Sequence, residues 1–129
     1  MEGADIVSKK RILIVEDEES LLRLESILLT SKGYDVTGVS SGLEALQAIP
    51  KVQPDLVLLD IMLPGLDGFE VCRQIKVNPT TTDIPVIMVT AKKSGDDMAR
   101  GEEVGADWYI TKPFKSAMVI ETIQRFLTP

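Results

Sequence analysis

Apolar residues in this chain fall into short unbroken runs, separated by longer stretches where they recur every three or four positions. Ile12 to Val15 is the first run, Val36 to Val39 a weaker second, and Leu56 to Leu59 a continuous third. Val86 to Val89 is again continuous, and Trp108 to Ile110 is short. The stretches between them read as helices. Leu21, Leu24, Ile27 and Leu28 fall on one helix face, and Gly33 offers a stop. Ser41-Gly42-Leu43-Glu44 reads as a capping box that opens a helix with Leu43, Leu46 and Ile49 inward. Asp67 to Glu70 repeats that logic before Phe69, Cys72 and Ile75, and Val119, Ile123, Phe126 and Leu127 form a last stripe. Strands alternating with helices predict a three-layer α/β domain around a mostly parallel sheet.

Strand composition also predicts strand order. Central parallel strands are covered on both faces and read as unbroken apolar runs, as the first, third and fourth do here. Thr37 and Gly38 break the second, and the fifth is brief, so both are predicted at edges. The result is the five-stranded order 2-1-3-4-5 of the flavodoxin-like fold. A chain of 129 residues suits one domain. Residues 1–8 are expected to be a flexible lead, and residues 9–129 the domain.

Composition narrows the chemistry. There is no histidine, and Cys72 is the sole cysteine, so imidazole sites, cysteine clusters and internal disulfides are excluded. Cys72 is expected in the core. The net charge of −6 argues against direct nucleic-acid binding, and Lys9-Lys10-Arg11 is read as a solvated lead-in to the first strand. No apolar run approaches the roughly 18 residues of a membrane span, and the start shows no signal-peptide pattern. The expected compartment is the cytoplasm.

In such a fold ligands gather at the carboxyl ends of the strands. The first strand ends in Glu16-Asp17-Glu18, the third in Asp60, the fourth in Thr90, and the fifth runs into Lys112-Pro113. A dinucleotide site would place glycines after the first strand, and this place is acidic. Converging carboxylates without histidine or cysteine suit a hard cation, Mg²⁺ above all. A bound cation reverses the local charge and makes the pocket attractive to a phosphoryl group.

Four blocks carry a resemblance that covers nearly the whole chain: Ile12 to Glu18, Pro54 to Gly68, Pro85 to Ala91 and Gly105 to Phe114. In order and spacing they resemble the signature blocks of response-regulator receiver domains. The resemblance implies a phosphorylation-operated signalling switch of two-component systems rather than an enzyme, with only its own phosphorylation and slow dephosphorylation to catalyse. Asp60 would be the phosphoacceptor, taking a phosphoryl group from a histidine kinase or phosphotransfer protein. Glu16, Asp17, Asp60 and the Met62 backbone carbonyl would hold Mg²⁺, with Mn²⁺ as a substitute. Many family members have aspartate where Glu16 stands, which leaves direct or water-mediated ligation open. Glu18 is read as starting the first helix.

Lys112, Thr90 and Ala91 would contact the phosphoryl oxygens, and a cis bond before Pro113 would aim Lys112. Gly68 and Pro64 are read as shaping the backbone. Met62 and Lys92 would tune phosphoryl lifetime. Thr90 and Tyr109 would form the switch that alters the surface of the fourth helix, fifth strand and fifth helix. The fourth helix has few strong apolar residues and contains Gly101, which costs about 1 kcal/mol against alanine, so it is the expected moving part. Trp108 departs from the small or acidic residue common at its place, and it is read as edge-strand packing or, if exposed, as an anchor for a partner. A partner protein or output domain would read that surface, and a phosphorylation-dependent homodimer could form through it. Both a stand-alone receiver and part of a longer regulator fit the chain. A flavodoxin would need a phosphate-cradling glycine loop after the first strand. An aspartate-dependent phosphatase would want an acid where Met62 stands. A pseudo-receiver would normally lack Asp60 or Lys112, and both are present.

Overall fold

The computed structural model describes residues 9–90, 95–112 and 115–127. Among them, strands β1 (Arg11–Val15), β2 (Asp35–Val39), β3 (Leu56–Asp60), β4 (Val86–Thr90) and β5 (Trp108–Thr111) alternate with five helices. The helices are α1 (Glu19–Ser31), α2 (Gly42–Val52), α3 (Gly68–Val77), α4 (Gly95–Val104) and α5 (Ser116–Leu127). The strands form one parallel sheet in the order β2-β1-β3-β4-β5, as strand composition predicts. β3 and β4 are buried along their whole length, whereas β2 and β5 at the edges are half-exposed. The expected lead, residues 1–8, lies outside the described residues.

Alternate strand residues face opposite sides. Leu13, Val15, Val57, Leu59, Val86 and Met88 pack with Ala45 and Ile49 of α2 and with Phe69, Cys72 and Ile75 of α3. Ile12, Ile14, Leu56, Leu58, Ile87, Val89 and Ile110 pack on the other side with Leu29 of α1 and with Val119 and Ile123 of α5. The helices therefore cover both faces, as a parallel sheet requires.

The helix starts are set by side-chain caps. Ser41 Oγ accepts from the Glu44 N–H at 3.1 Å, and Asp67 Oδ1 accepts from the Glu70 N–H at 2.9 Å. The Glu44 carboxylate closes the first box one residue early, accepting from the Ser40 N–H at 3.2 Å. Gly33 follows the end of α1 with φ +94°, a left-handed position that glycine takes without strain.

Two helix faces differ from the sequence reading. In α1, Leu24 and Ile27 are 63% and 62% exposed, and the inner face is built from Leu22, Glu25 and Leu29. α1 has leucine or isoleucine on nearly every side, so periodicity alone does not single out the inward stripe. In α2, Leu43 points outward, and Gly42, Ala45 and Ile49 face in. Gly42 can face in because it is small: a Cβ there would lie 2.6 Å from the Leu66 carbonyl oxygen.

Candidate functional site: an acidic pocket with a shared lysine

Strand register brings the chemistry to one edge. Val15 pairs with Leu59, Asp60 with Val89, and Thr90 with Thr111. The residues that follow β1 and β5 therefore meet the last residues of β3 and β4. The Lys112 N–H donates to the Thr90 carbonyl at 2.7 Å, fixing where its side chain departs.

Glu16 and Asp60 are buried, at 2% and 4% exposure, and Asp17 is exposed beside them. Carboxylate oxygens of the three lie within 4.8 Å of one another. Lys112 Nζ sits between two of them, donating to Glu16 Oε1 at 3.0 Å and to Asp60 Oδ2 at 3.3 Å. The other Asp60 oxygen accepts from the Met62 N–H at 3.0 Å, and Glu16 Oε2 accepts from the Glu18 N–H at 3.1 Å. Burial, joined by the Asp60 charge, holds the Glu16 carboxyl above its usual range, with Lys112 and the Glu18 amide pulling the other way. Burial works against the Lys112 ammonium, yet Glu16 and Asp60 outweigh it and raise its pKa, so the lysine stays charged. The donors are all hard oxygens, and two of the three carboxylates are already desolvated, a set that fits Mg²⁺. Glu18 takes the N-cap position of α1 with extended backbone and no side-chain capping hydrogen bond, so it starts the helix as the sequence suggests.

Gly68 determines how the loop after Asp60 returns to the pocket. Its N–H donates to the Ile61 carbonyl at 3.1 Å, and a Cβ would lie 2.4 Å from the Asp60 carbonyl oxygen. Thr90 is buried at the end of β4, and the Met62 side chain is exposed. Ala91, Lys92 and Pro113 lie outside the described residues.

Tyr109 is half-buried against α4. Its hydroxyl donates to the Asp97 carbonyl at 2.8 Å and occupies the space a side chain at Gly101 would need, since a Cβ there would fall 1.2 Å from the tyrosine oxygen. Gly101, which the sequence marks only as a weak point of the helix, is the slot for Tyr109. Gly101→Ala is expected to expel the Tyr109 ring toward solvent while changing stability by no more than about 1 kcal/mol, because alanine also favours the helix. Near-ultraviolet circular dichroism beside urea unfolding measures both effects. An unchanged aromatic spectrum would mean that α4 moves instead.

α4 is also tied to α3. The Arg100 guanidinium lies 4.3 Å from the Phe69 ring centroid and 3.6 Å from Asp67 Oδ2. These ties pass to the residues that open α3, and no hydrophobic pattern announces them. Cys72 is buried beneath α4, and burial pushes its thiol up to about 11, which disfavours the thiolate. On β5, Trp108 is 46% exposed and meets Phe126 of α5 edge-on, with ring centroids 6.4 Å apart. Among the described residues no helix is long and apolar enough to cross a membrane.

The family model of the response regulator receiver domain matches residues 12–124. The chain is 44% identical over 118 residues to the alkaline phosphatase synthesis transcriptional regulatory protein PhoP of Bacillus subtilis, covering 92% of this chain and 48% of PhoP. It is 40% identical over 116 residues to the DNA-binding response regulator MtrA of Mycobacterium tuberculosis, covering 90% of this chain and 50% of MtrA. The chain thus spans about half the length of these relatives. Among solved structures, the chemotaxis protein CheY4 of Vibrio cholerae superposes with a TM-score of 0.89 at 29% identity, covering 93% of this chain and all of that one. The receiver domain of the sensor histidine kinase PA1611 of Pseudomonas aeruginosa, whose structure has a magnesium ion coordinated in its active-site cleft, gives 0.87 at 31% identity. That match covers 95% of this chain and 100% of the other. Fold, acidic pocket and relatives agree, and this chain belongs to the response regulator receiver domain family, the phosphoreceiver switches of two-component signalling.

Proposed function

We propose that Asp60 is the phosphoacceptor of this receiver and that a histidine kinase or phosphotransfer protein supplies the phosphoryl group. The observation that carries the reading is the setting of Asp60. It is a buried carboxylate with one oxygen on the Met62 amide and the other on the Lys112 ammonium, beside Glu16 and Asp17. An Asp60 oxygen attacks phosphorus, the P–N bond to the donor histidine breaks, and its electron pair remains on the imidazole. Phosphoryl transfer of this kind is mainly a matter of positioning and charge compensation. Mg²⁺, when bound by Glu16, Asp17, Asp60 and the Met62 carbonyl, offsets the carboxylates and the incoming phosphoryl charge. Lys112 pairs with the phosphoryl oxygens, and Thr90 and Ala91 complete their contacts. Met62 and Lys92 tune how slowly water returns the switch to its resting state.

The positions of Thr90 and Tyr109 support a role for the pair in the output. Thr90 is buried at the pocket end of β4, and Tyr109 lies on the neighbouring strand with its hydroxyl against α4. A hydroxyl of Thr90 drawn to the phosphoryl group frees space on the Tyr109 side and alters the α4-β5-α5 surface. A partner protein or an output domain outside this chain reads that change.

Intact-mass measurement after incubation with Mg²⁺ and a small acyl-phosphate donor tests the acceptor. One phosphoryl adduct is expected, absent from Asp60→Asn and from a chelated sample. An adduct that persists in Asp60→Asn would place the acceptor elsewhere.

A further inference from the structure

Glu25 sits on the inner face of α1 among leucines, 3% exposed, and its Oε1 has no hydrogen-bond partner among the described residues. A buried carboxyl oxygen without a partner is costly, and an aliphatic side chain would suit this face better. Helical side chains lean toward the helix N-terminus. α1 begins directly after Glu16-Asp17-Glu18, so Glu25 leans toward the pocket. The charges that act on it are those of the pocket: Glu16 at the end of β1, Lys112 after β5 and Asp60 on β3. Burial first, then the Glu16 charge, raises its carboxyl to about 7, with Lys112 opposing and Asp60 adding to the rise. Glu25 is not among the carboxylates grouped within 4.8 Å of one another, so it is not placed as a direct ligand.

We propose that Glu25 is a remote fourth carboxylate of the cation pocket, which strengthens binding of a divalent cation by its charge from beneath the sheet edge. The proposal rests on the reading of Glu16, Asp17 and Asp60 as the cation site. A charge held in the interior acts through a lower effective dielectric than one on the surface, and salt screens it less. The carboxylate thereby lowers the stability of the domain and raises its affinity for the ion, a pairing expected of functional sites rather than of the core.

Calorimetric titration of the full chain with Mg²⁺ at pH 8, where Glu25 is mostly ionised, tests this against Glu25→Gln and Glu25→Leu, with urea unfolding of all three. Both variants should bind Mg²⁺ about fivefold more weakly. Glu25→Leu should at the same time unfold at higher urea than the parent. That opposition of sign is the signature a purely structural residue cannot produce. Parental Mg²⁺ affinity in both variants would overturn the proposal, and so would a joint fall of affinity and stability in both. Failure of the parent itself to bind Mg²⁺ would overturn the cation-site reading together with this one.

Discussion

Lys112→Met is expected to destabilise the domain by about 3 kcal/mol at pH 8, the scale seen when one partner of a buried ion pair is removed. The lysine ammonium is shared by Glu16 at 3.0 Å and Asp60 at 3.3 Å, and both carboxylates are buried. Methionine keeps much of the aliphatic length and leaves two negative charges facing each other. The sign of the pH dependence follows. Glu16 is already raised above its unfolded value in the parent, by burial first, and loss of Lys112 raises it further. A carboxyl with a raised folded-state pKa contributes stability that is fully present below its unfolded value and is lost as pH rises through the folded value. The deficit of the variant should therefore be largest at pH 8 and shrink toward pH 5, as urea unfolding at the two values will measure. Added Mg²⁺ should narrow the gap at pH 8, because the pocket without the Lys112 ammonium is more negative and the ion then stabilises the folded variant more than the folded parent. An equal deficit at both pH values would mean that lost packing, not charge, explains the effect.

Gly68→Ala is the second change with a large expected consequence. The added Cβ would meet the Asp60 carbonyl oxygen at 2.4 Å and the Ile61 Cα at 2.8 Å. Both obstacles are backbone, so no side-chain rotation relieves them, and either the start of α3 or the end of β3 must shift. Overpacking of this kind costs about 2 kcal/mol. Displacement of Asp60 by a fraction of an ångström should also slow phosphorylation by roughly tenfold or more, since reacting groups tolerate little misplacement. Gly65→Ala is the control. Gly65 has φ +73°, and a Cβ added there would meet nothing within 4 Å, so this change should cost stability through backbone strain alone. The initial rate of adduct formation should fall in Gly68→Ala and hold in Gly65→Ala. A normal rate in both would show that the loop yields without moving the acceptor.

The legible parts of the chain are those in which one residue type answers one physical demand. Unbroken Val, Ile and Leu runs mark strands covered on both faces, and the broken second run marks an edge, so the sheet order can be read directly. Acids at two strand ends and a lysine at a third define the pocket because the fold aligns those ends. Patterns fail where the deciding neighbour is distant in sequence. Glu25 interrupts a stripe of leucines, and hydropathy assigns a glutamate to solvent, so periodicity puts the inner face of α1 on the wrong leucines. Leu43 reads as inward because the small residues that actually face in, Gly42 and Ala45, carry little hydrophobic signal. Gly101 has the pattern of a helix defect, and only the folded chain brings Tyr109, eight residues on in sequence, into its space. The Arg100 contacts with Asp67 and Phe69 bridge two helices and have no periodic signature.

The ion pair between Lys112 and Glu16 joins residues 96 positions apart, and the Lys112–Asp60 pair spans 52. Contacts so distant along the chain carry a loop-closure cost that the packing of the strands between them has to offset. β1, β3, β4 and β5 all have to be in register before the lysine can reach either carboxylate. On the proposed role of Asp60, the ability to accept a phosphoryl group therefore depends on the assembled sheet, because an unfolded chain carries the same side chains without the pocket.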